Sequence, residues 1–304
     1  MRVLVTGGSG FLGAWIIKRL IEAGAEPVVF DISGERRKVA EIAGARTARE
    51  LVWGVADVRS AADVRMAVQA CQGVIHLAGL LTPACAADPV RGAEVNLIGT
   101  LNVFEAARRQ GLQAVAYAST AGVFGPDDAQ QPRPITHYGA FKLAAEACAR
   151  AFWHDAQLPS VGLRPLVVYG PGRDLGLSAG PSLACRAAAR GEAYEIGFTG
   201  ETGLVYVEDV AAAFVHAVLN PGEGAHVFNL IGEVAPVDAL MAEIRRQVPE
   251  ARLSAAGPGL GIAVGQGEAG LDDWFPGRPV TSLAQGVART LAHYRAAADL
   301  RVPA

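Results

Sequence analysis

Val3-Leu4-Val5-Thr6-Gly7-Gly8-Ser9-Gly10-Phe11-Leu12-Gly13 decides how this chain of 304 residues folds. Val3 to Val5 is a short, apolar, β-branched run that fits a buried strand. An amphipathic helix is expected from Phe11 to Ala23, ended by Gly24. Between them lies a turn made almost wholly of glycine. Such a turn leaves backbone N–H groups pointing outward at a helix N-terminus, where the helix dipole favours negative charge. Missing Cβ atoms let a pyrophosphate approach. The glycines read as G-x-G-x-x-G from Gly8 or as T-G-x-x-G-x-x-G from Thr6, and no Lys-Ser/Thr follows to make a Walker-type loop. The stretch therefore predicts a dinucleotide site, with Gly7, Gly10, Phe11, Leu12 and Gly13 against the cofactor.

Working outward, the next strand (Pro27 to Phe30) ends in Asp31, 18 residues beyond Gly13. A carboxylate there accepts hydrogen bonds from the adenosine ribose hydroxyls and repels a 2′-phosphate, so NAD is expected rather than NADP. Arg36 and Arg37 are placed on the solvent face of the following helix. Leu51 to Val55 reads as a third strand. Asp57-Val58 follows it, either contacting adenine or opening the helix Ala61 to Gln69. Val74 to Gly79 is a fourth strand whose end, Leu77-Ala78-Gly79, is small enough to pass beneath a cofactor. A single long helix from Pro89 to Gln110 carries Asn96, and the strand Ala114 to Ala118 runs into Ser119-Thr120.

Strands alternating with helices at this pitch predict an α/β fold, a Rossmann-type doubly wound parallel sheet. Ligands bind outside the strand carboxyl ends of such sheets, which puts Ser119 and Thr120 in the same crevice as the glycine turn. A helix from Tyr138 to Phe152 then brings Tyr138 and Lys142 to one face, one turn apart. A lysine cation beside a phenol favours the phenolate, so the pair is a device for moving a proton to or from a hydroxyl. Beyond Tyr169-Gly170-Pro171-Gly172-Arg173, glycine and proline become frequent and short strands mix with helices (Pro181 to Arg190, Glu208 to Leu219, Pro236 to Gln247, Ser282 to Ala298). This texture predicts a smaller mixed α/β C-terminal substrate lobe. Residues 1–165 are expected to form the NAD-binding domain, with returning segments near 204–232, and 166–304 predominantly the substrate lobe. Gly257 to Gly270 reads as a loop.

Composition narrows the remaining classes. Net charge is −3 with scattered basic residues, giving neither a nucleic-acid face nor a polybasic membrane patch. Cys71, Cys85, Cys148 and Cys185 show no C-x-x-C spacing and read as reduced, buried thiols; the six histidines show no zinc-binding spacing, so no metal is expected. No run approaches 18 apolar residues and no leader pattern opens the chain, so a cytoplasmic protein is expected. Gly176-Leu177-Ser178-Ala179-Gly180 spells the G-x-S-x-G nucleophile elbow, but no strand directly precedes it. It reads as a loop in which Ser178, with Arg173, is placed for substrate contact.

Together these residues resemble the extended short-chain dehydrogenase/reductase family, which contains sugar epimerases, dehydratases and related dehydrogenases. Thr6-Gly7-x-x-Gly10-x-x-Gly13, Asp31, Asp57-Val58, His76-Leu77-Ala78-Gly79, Asn96, Ser119-Thr120, Tyr138-x-x-x-Lys142, Arg164-Pro165, Tyr169 to Arg173 and Val207-Glu208-Asp209-Val210 occur in the family's order. The resemblance implies that Tyr138 is the acid/base. It implies that Lys142 holds the nicotinamide ribose and depresses the Tyr138 pKa. Thr120, supported by Ser119, would polarise the reacting oxygen, and Asn96 would brace the site backbone. It further implies a homodimer through the helices carrying Asn96 and Tyr138. Family members acting on nucleotide sugars often carry an arginine before the V-x-D; Gly200 to Tyr206 has neither Arg nor Lys, and Glu201 would repel a diphosphate. Dehydratases place acids after the threonine, where this chain has Ala121-Gly122. The expected activity is NAD-dependent oxidation of a small sugar acid, polyol or hydroxy acid, with Arg173 a candidate for a carboxylate. The alternatives are a sugar or nucleotide-sugar epimerase and, more remotely, a non-catalytic NAD-binding regulator.

Overall fold

The computed structural model describes residues 1–299. The strands among them are β1 Arg2–Thr6, β2 Glu26–Asp31, β3 Val52–Val55, β4 Gly73–His76, β5 Val115–Ala118, β6 Ser160–Pro165 and β7 Val167–Tyr169, then β8 Tyr194–Ile196, β9 Glu201–Tyr206, β10 Ala225–Leu230, β11 Glu233–Pro236 and β12 Leu253–Ala255. Seven of them form one parallel sheet in the order β10-β6-β5-β4-β1-β2-β3. Its order reverses at β1, between β4 and β2, so a crevice opens beyond the carboxyl ends of those strands.

Strand β1 shows why the sheet is covered on both faces. Val3 and Val5 enter one core with Ile16, Ile17 and Leu20 of the helix Phe11–Glu22 and with Val210 and Phe214 of the helix Val207–Leu219. Leu4 points the other way, into a core with Val64, Val103 and Phe104. All three β1 side chains have no exposed surface. A strand buried on both sides reads as an unbroken apolar run rather than an alternating one. Each such side chain contributes roughly 1.5–3 kcal/mol through burial.

The remaining strands form a three-stranded sheet, β11-β9-β7, and a two-stranded one, β12-β8. Strand β10 follows β9 in the chain yet returns to the edge of the main sheet beside β6. No helix or strand occupies 256–270, and the glycine-rich stretch there is an irregular segment.

One expected element is broken. The run Pro89 to Gln110 is not a single α-helix: Pro89–Ala93 and Gly99–Gln110 flank a π-helical turn, Glu94–Ile98. A wide turn of this kind inserts an extra residue and re-aims the side chains beside it. Here Asn96 is turned fully inward.

Candidate active site

The glycine turn is shaped by contacts that exclude a side chain. Gly7 has φ +71°, and a Cβ on it would lie 2.8 Å from the Ala78 backbone nitrogen. A Cβ on Gly13 would lie 2.7 Å from the Gly7 carbonyl oxygen and equally close to the Gly8 Cα. The helix Phe11–Glu22 begins without a side-chain cap at Gly10, so its first N–H groups remain available at the crevice. Asp31, at the end of β2, accepts from the Ser9 N–H at 3.0 Å and from the Ser33 N–H at 3.0 Å. Its carboxylate is thereby fixed beside the turn. Arg36 lies against the Trp53 ring and donates to the Ala48 carbonyl, and Arg37 lies 3.8 Å from Asp174, so neither arginine pairs with Asp31.

A cavity of about 690 Å³ runs from this turn across the ends of β4 and β5. Gly7, Gly10, Phe11, Leu12 and Gly13 line one end with Asp31, Asp57 and Val58. Leu77, Ala78 and Gly79 form its floor, and Ser119, Thr120, Tyr138, Arg173 and Ser178 reach its other half. Asp57 lines the cavity, but its carboxylate is bound by its own neighbour: Arg59 donates to it through Nε, Nη2 and the backbone N–H at 2.7–2.9 Å. The helix Ala61–Val68 is opened not by Asp57 but by Ser60, whose hydroxyl accepts from the Asp63 N–H at 3.3 Å.

Asn96 and Lys142 stand behind the wall rather than in it. The Asn96 amide brackets the peptide of Leu80, accepting from its N–H at 3.0 Å and donating to its carbonyl at 3.1 Å. Lys142 is 3 % exposed and lies beneath Gly79, where a Cβ would come within 3.6 Å of Nζ. The buried His76 bridges Thr6 and Thr100, with 2.7 Å from Nδ1 to the Thr6 hydroxyl and 2.9 Å from Nε2 to that of Thr100. Thr6 also accepts from the N–H groups of Leu77 and Ala78, and Thr100 donates to the Asn96 carbonyl.

The helix His137–Ala156 is capped by Thr136, whose hydroxyl accepts from the Gly139 N–H at 3.0 Å, and it presents Tyr138, Lys142 and Glu146 on one face. Glu146 is buried and accepts from the Ser119 hydroxyl and from Arg164 Nε at 2.7 Å and Nη2 at 2.5 Å. Ser119 is therefore committed to a buried ionic chain. The Thr120 hydroxyl is the one turned to the cavity; it accepts from the Gly122 N–H at 3.0 Å.

Burial dominates the electrostatics. Tyr138 is pushed up to about 12 by desolvation, with Arg173 and the Thr120 hydroxyl acting against it. The expected depression by Lys142 is not what this geometry produces, since Nζ lies 5.8 Å from the Tyr138 ring centroid and is itself desolvated. Lys142 is brought down to about 8 by burial, opposed by Cys85 and Glu146. Arg173 is lowered to about 10 by burial. It donates to the Val168 carbonyl at 2.7 Å and to the Ser178 hydroxyl at 2.8 Å, while its Nε is buried without a partner. Ser178 is thus an acceptor for Arg173 and not a nucleophile.

One sequence argument needs revision, and one set of lining residues had no motif to reveal it. None of Gly200 to Tyr206 lines the cavity, because the segment forms the turn into β9 and β9 itself. Glu201 is exposed and outside the cavity lining, so the argument that it would repel a diphosphate there loses its footing. The apolar residues Leu81, Ile135, Leu175, Leu177, Leu260 and Ile262 line the substrate end and belong to no motif. Their only sequence signal is large aliphatic residues inside polar or glycine-rich loops.

Comparison with known proteins agrees with this geometry. Residues 3–230 match the model of the NAD dependent epimerase/dehydratase family. A UDP-glucose 4-epimerase of Mycolicibacterium smegmatis is 31% identical over 243 residues, covering 76% of this chain and 77% of that protein. Dihydroflavonol 4-reductase of Zea mays is 26% identical over 284 residues, covering 85% and 77%. The crystal structure of the Thermus thermophilus UDP-glucose 4-epimerase in complex with NAD superposes with a TM-score of 0.82 at 28% identity, covering 98% of this chain and all of that one. The Cβ-free cradle and the carboxylate of Asp31 fit NAD. The chain belongs to the NAD-dependent epimerase/dehydratase family and is an NAD-dependent enzyme of the extended short-chain dehydrogenase/reductase type.

Proposed function

We propose that the enzyme interconverts a secondary hydroxyl and a ketone on a small compound bearing a carboxylate, within the class of sugar acids and hydroxy acids. The observation that carries this reading is Arg173, a guanidinium in the cavity wall that is held by the Val168 carbonyl and the Ser178 hydroxyl and, among the described residues, pairs with no carboxylate. A carboxylate supplies the missing countercharge to a guanidinium that is costly to bury uncompensated. A polyol could accept from its N–H groups but would supply no countercharge. The other cations lining the cavity stand elsewhere: Lys38 is paired with Asp174, and Arg59 and Arg91 flank Asp57.

When bound, NAD would supply the acceptor and donor for the carbinol hydride, and the chain's own residues the proton transfer. Tyr138 exchanges the hydroxyl proton with the reacting oxygen, and Thr120 donates a hydrogen bond to that oxygen. With its pKa near 12, Tyr138 stands as the acid at neutral pH, ready for the ketone-reducing direction. Accepting a proton in the other direction requires the cationic surroundings that Arg173 begins to supply. Lys142 would orient the nicotinamide ribose from beneath Gly79. The homodimer through the helices carrying Asn96 and Tyr138 belongs to the same proposal; it would cover the exposed side chains of Val90 and Ile98.

A second reading, sugar or nucleotide-sugar epimerisation, is favoured by the similarity to UDP-glucose 4-epimerases. Absorbance at 340 nm separates the two. Purified protein with NAD and a panel of sugar acids, hydroxy acids, polyols and UDP-sugars should show a rise beyond one enzyme equivalent with a carboxylate compound. Conversion of a UDP-sugar without net NADH, together with NAD released only on denaturation, would overturn the oxidoreductase reading in favour of the epimerase.

A further inference from the structure

The substrate end of the cavity is walled by aliphatic side chains that a polyhydroxylated molecule does not need. Four loops supply them: the one after β4 (Leu81), the approach to the Tyr138 helix (Ile135), the one after β7 (Leu175 and Leu177), and the glycine-rich segment (Leu260 and Ile262). Ile135, Leu175 and Leu177 keep 67%, 70% and 66% of their surface exposed although they line the cavity. These loops meet in two groups, which line the same cavity as an aliphatic collar. Leu81 Cδ1 lies 3.2 Å from the position a Cβ would take on Gly176, between Leu175 and Leu177. Ile135 Cδ1 lies 3.6 Å from the corresponding position on Gly261, and Ile262 Cδ1 lies 3.9 Å from that on Gly122, whose N–H is held by Thr120. The apolar surface thus extends to the place where the reacting oxygen is expected.

A cluster of large, exposed aliphatic residues confined to a ligand cavity is a surface that its ligand covers. A sugar would present several hydroxyls to these aliphatic faces, beside which the hydroxyl side chains are those of Thr82, Thr136 and Ser178. The Ser178 hydroxyl is already bonded to Arg173. Burying unpaired hydroxyls is unfavourable, whereas burying methylenes is favourable.

Resting on the oxidoreductase reading above, we infer that the substrate is a hydroxy acid, or its oxo acid, with an alkyl or aryl body. The carboxylate pairs with Arg173, the reacting oxygen lies between Tyr138 and Thr120, and the apolar body fills the collar of Leu81, Ile135, Leu175, Leu177 and Ile262.

The test is kcat/KM with NAD for two homologous series, straight-chain 2-hydroxy and 3-hydroxy acids, with sugar acids of matching length as controls. The expected result is a rise of about two- to fourfold for each added methylene, up to the value of one fully buried CH₂, in the better series. The apolar acid should also exceed the sugar acid of equal length by on the order of tenfold. In the Leu177→Ser/Ile262→Ser variant, both positions being at the cavity rim or wall, the increment per methylene should fall below about twofold. A flat or falling series alongside turnover of sugar acids overturns this inference and leaves the oxidoreductase reading standing. An undiminished increment in the variant overturns the assignment of the collar. No NADH from any acid overturns both.

Discussion

The glycine turn after β1 and the aliphatic collar at the far end of the same cavity are built in different ways. The turn is made of backbone: a Cβ on Gly7 or Gly13 would come within 2.7–2.8 Å of neighbouring main chain, and the groups offered to a ligand are N–H donors at a helix start. Its specification is local, within eleven consecutive residues. The collar is made of side chains from four loops that lie far apart in the chain, and any similar aliphatic residue would serve at each position. A site made of backbone constrains which residues are tolerated. A site made of side chains on loops leaves only a preference for size and polarity.

Three experiments would sharpen or break this contrast. The largest effect belongs to Tyr138→Phe, at the junction of the two regions. Turnover should fall by about 10³-fold, within the range for removing a general acid/base, while NAD affinity by fluorescence titration stays within about twofold. Retained turnover would remove Tyr138 as the proton carrier. A smaller effect is expected beneath the cofactor end, from Lys142. Its pKa is about 8 in the fold against a reference of 10.5. Between those pH values the folded protein binds fewer protons than the unfolded chain, so stability rises with pH across that window and is lost as pH falls through 8. Lys142→Met lacks this dependence. By urea denaturation without cofactor, the variant should be more stable than the parent by about 3 kcal/mol at pH 7, an upper figure, with the difference closing by pH 10.5. A difference independent of pH would mean that Lys142 is not desolvated. The smallest effect is that of Asp31→Ala, which should shift the preference for NAD over NADP by on the order of tenfold, one charge–charge contact near the surface. Selectivity along the hydroxy-acid series should stay as it was. A coupled change in both would show that the two ends of the cavity are not independent.

The parts of the molecule that the sequence makes legible follow the same division. Strand β1, the turn, Asp31 and the Tyr138–Lys142 helix declare themselves through periodicity, glycine spacing and strand ends. The π-helical turn at Glu94–Ile98 does not, because nothing in its residues departs from an ordinary helix; it exists to carry Asn96 to the Leu80 peptide. The role of Ser119 is hidden for a related reason. Its partner, Glu146, lies 27 positions away and pairs with Arg164, a chain visible only once the helix is docked. Glu201 reads as a neighbour of the ligand, but position along the chain does not reveal that β9 turns away from the cavity. Burial sets the direction at Tyr138, and the depth of a side chain is likewise a property of the assembled fold.

The contacts around His76 have a direction as well as a geometry. The Thr6 oxygen already receives two amide protons, from Leu77 and Ala78, so its own proton goes to His76 Nδ1. The imidazole must then carry its single proton on Nε2 and give it to Thr100, whose hydroxyl proton ends on the Asn96 carbonyl. Every proton from the turn to the π-helical segment is assigned, and the line has one polarity. A second ring proton would meet the Thr6 proton head-on, and burial brings the His76 pKa down to about 3. The imidazole is therefore a silent spacer throughout the physiological range, joining two walls of the cofactor groove without contributing charge to it.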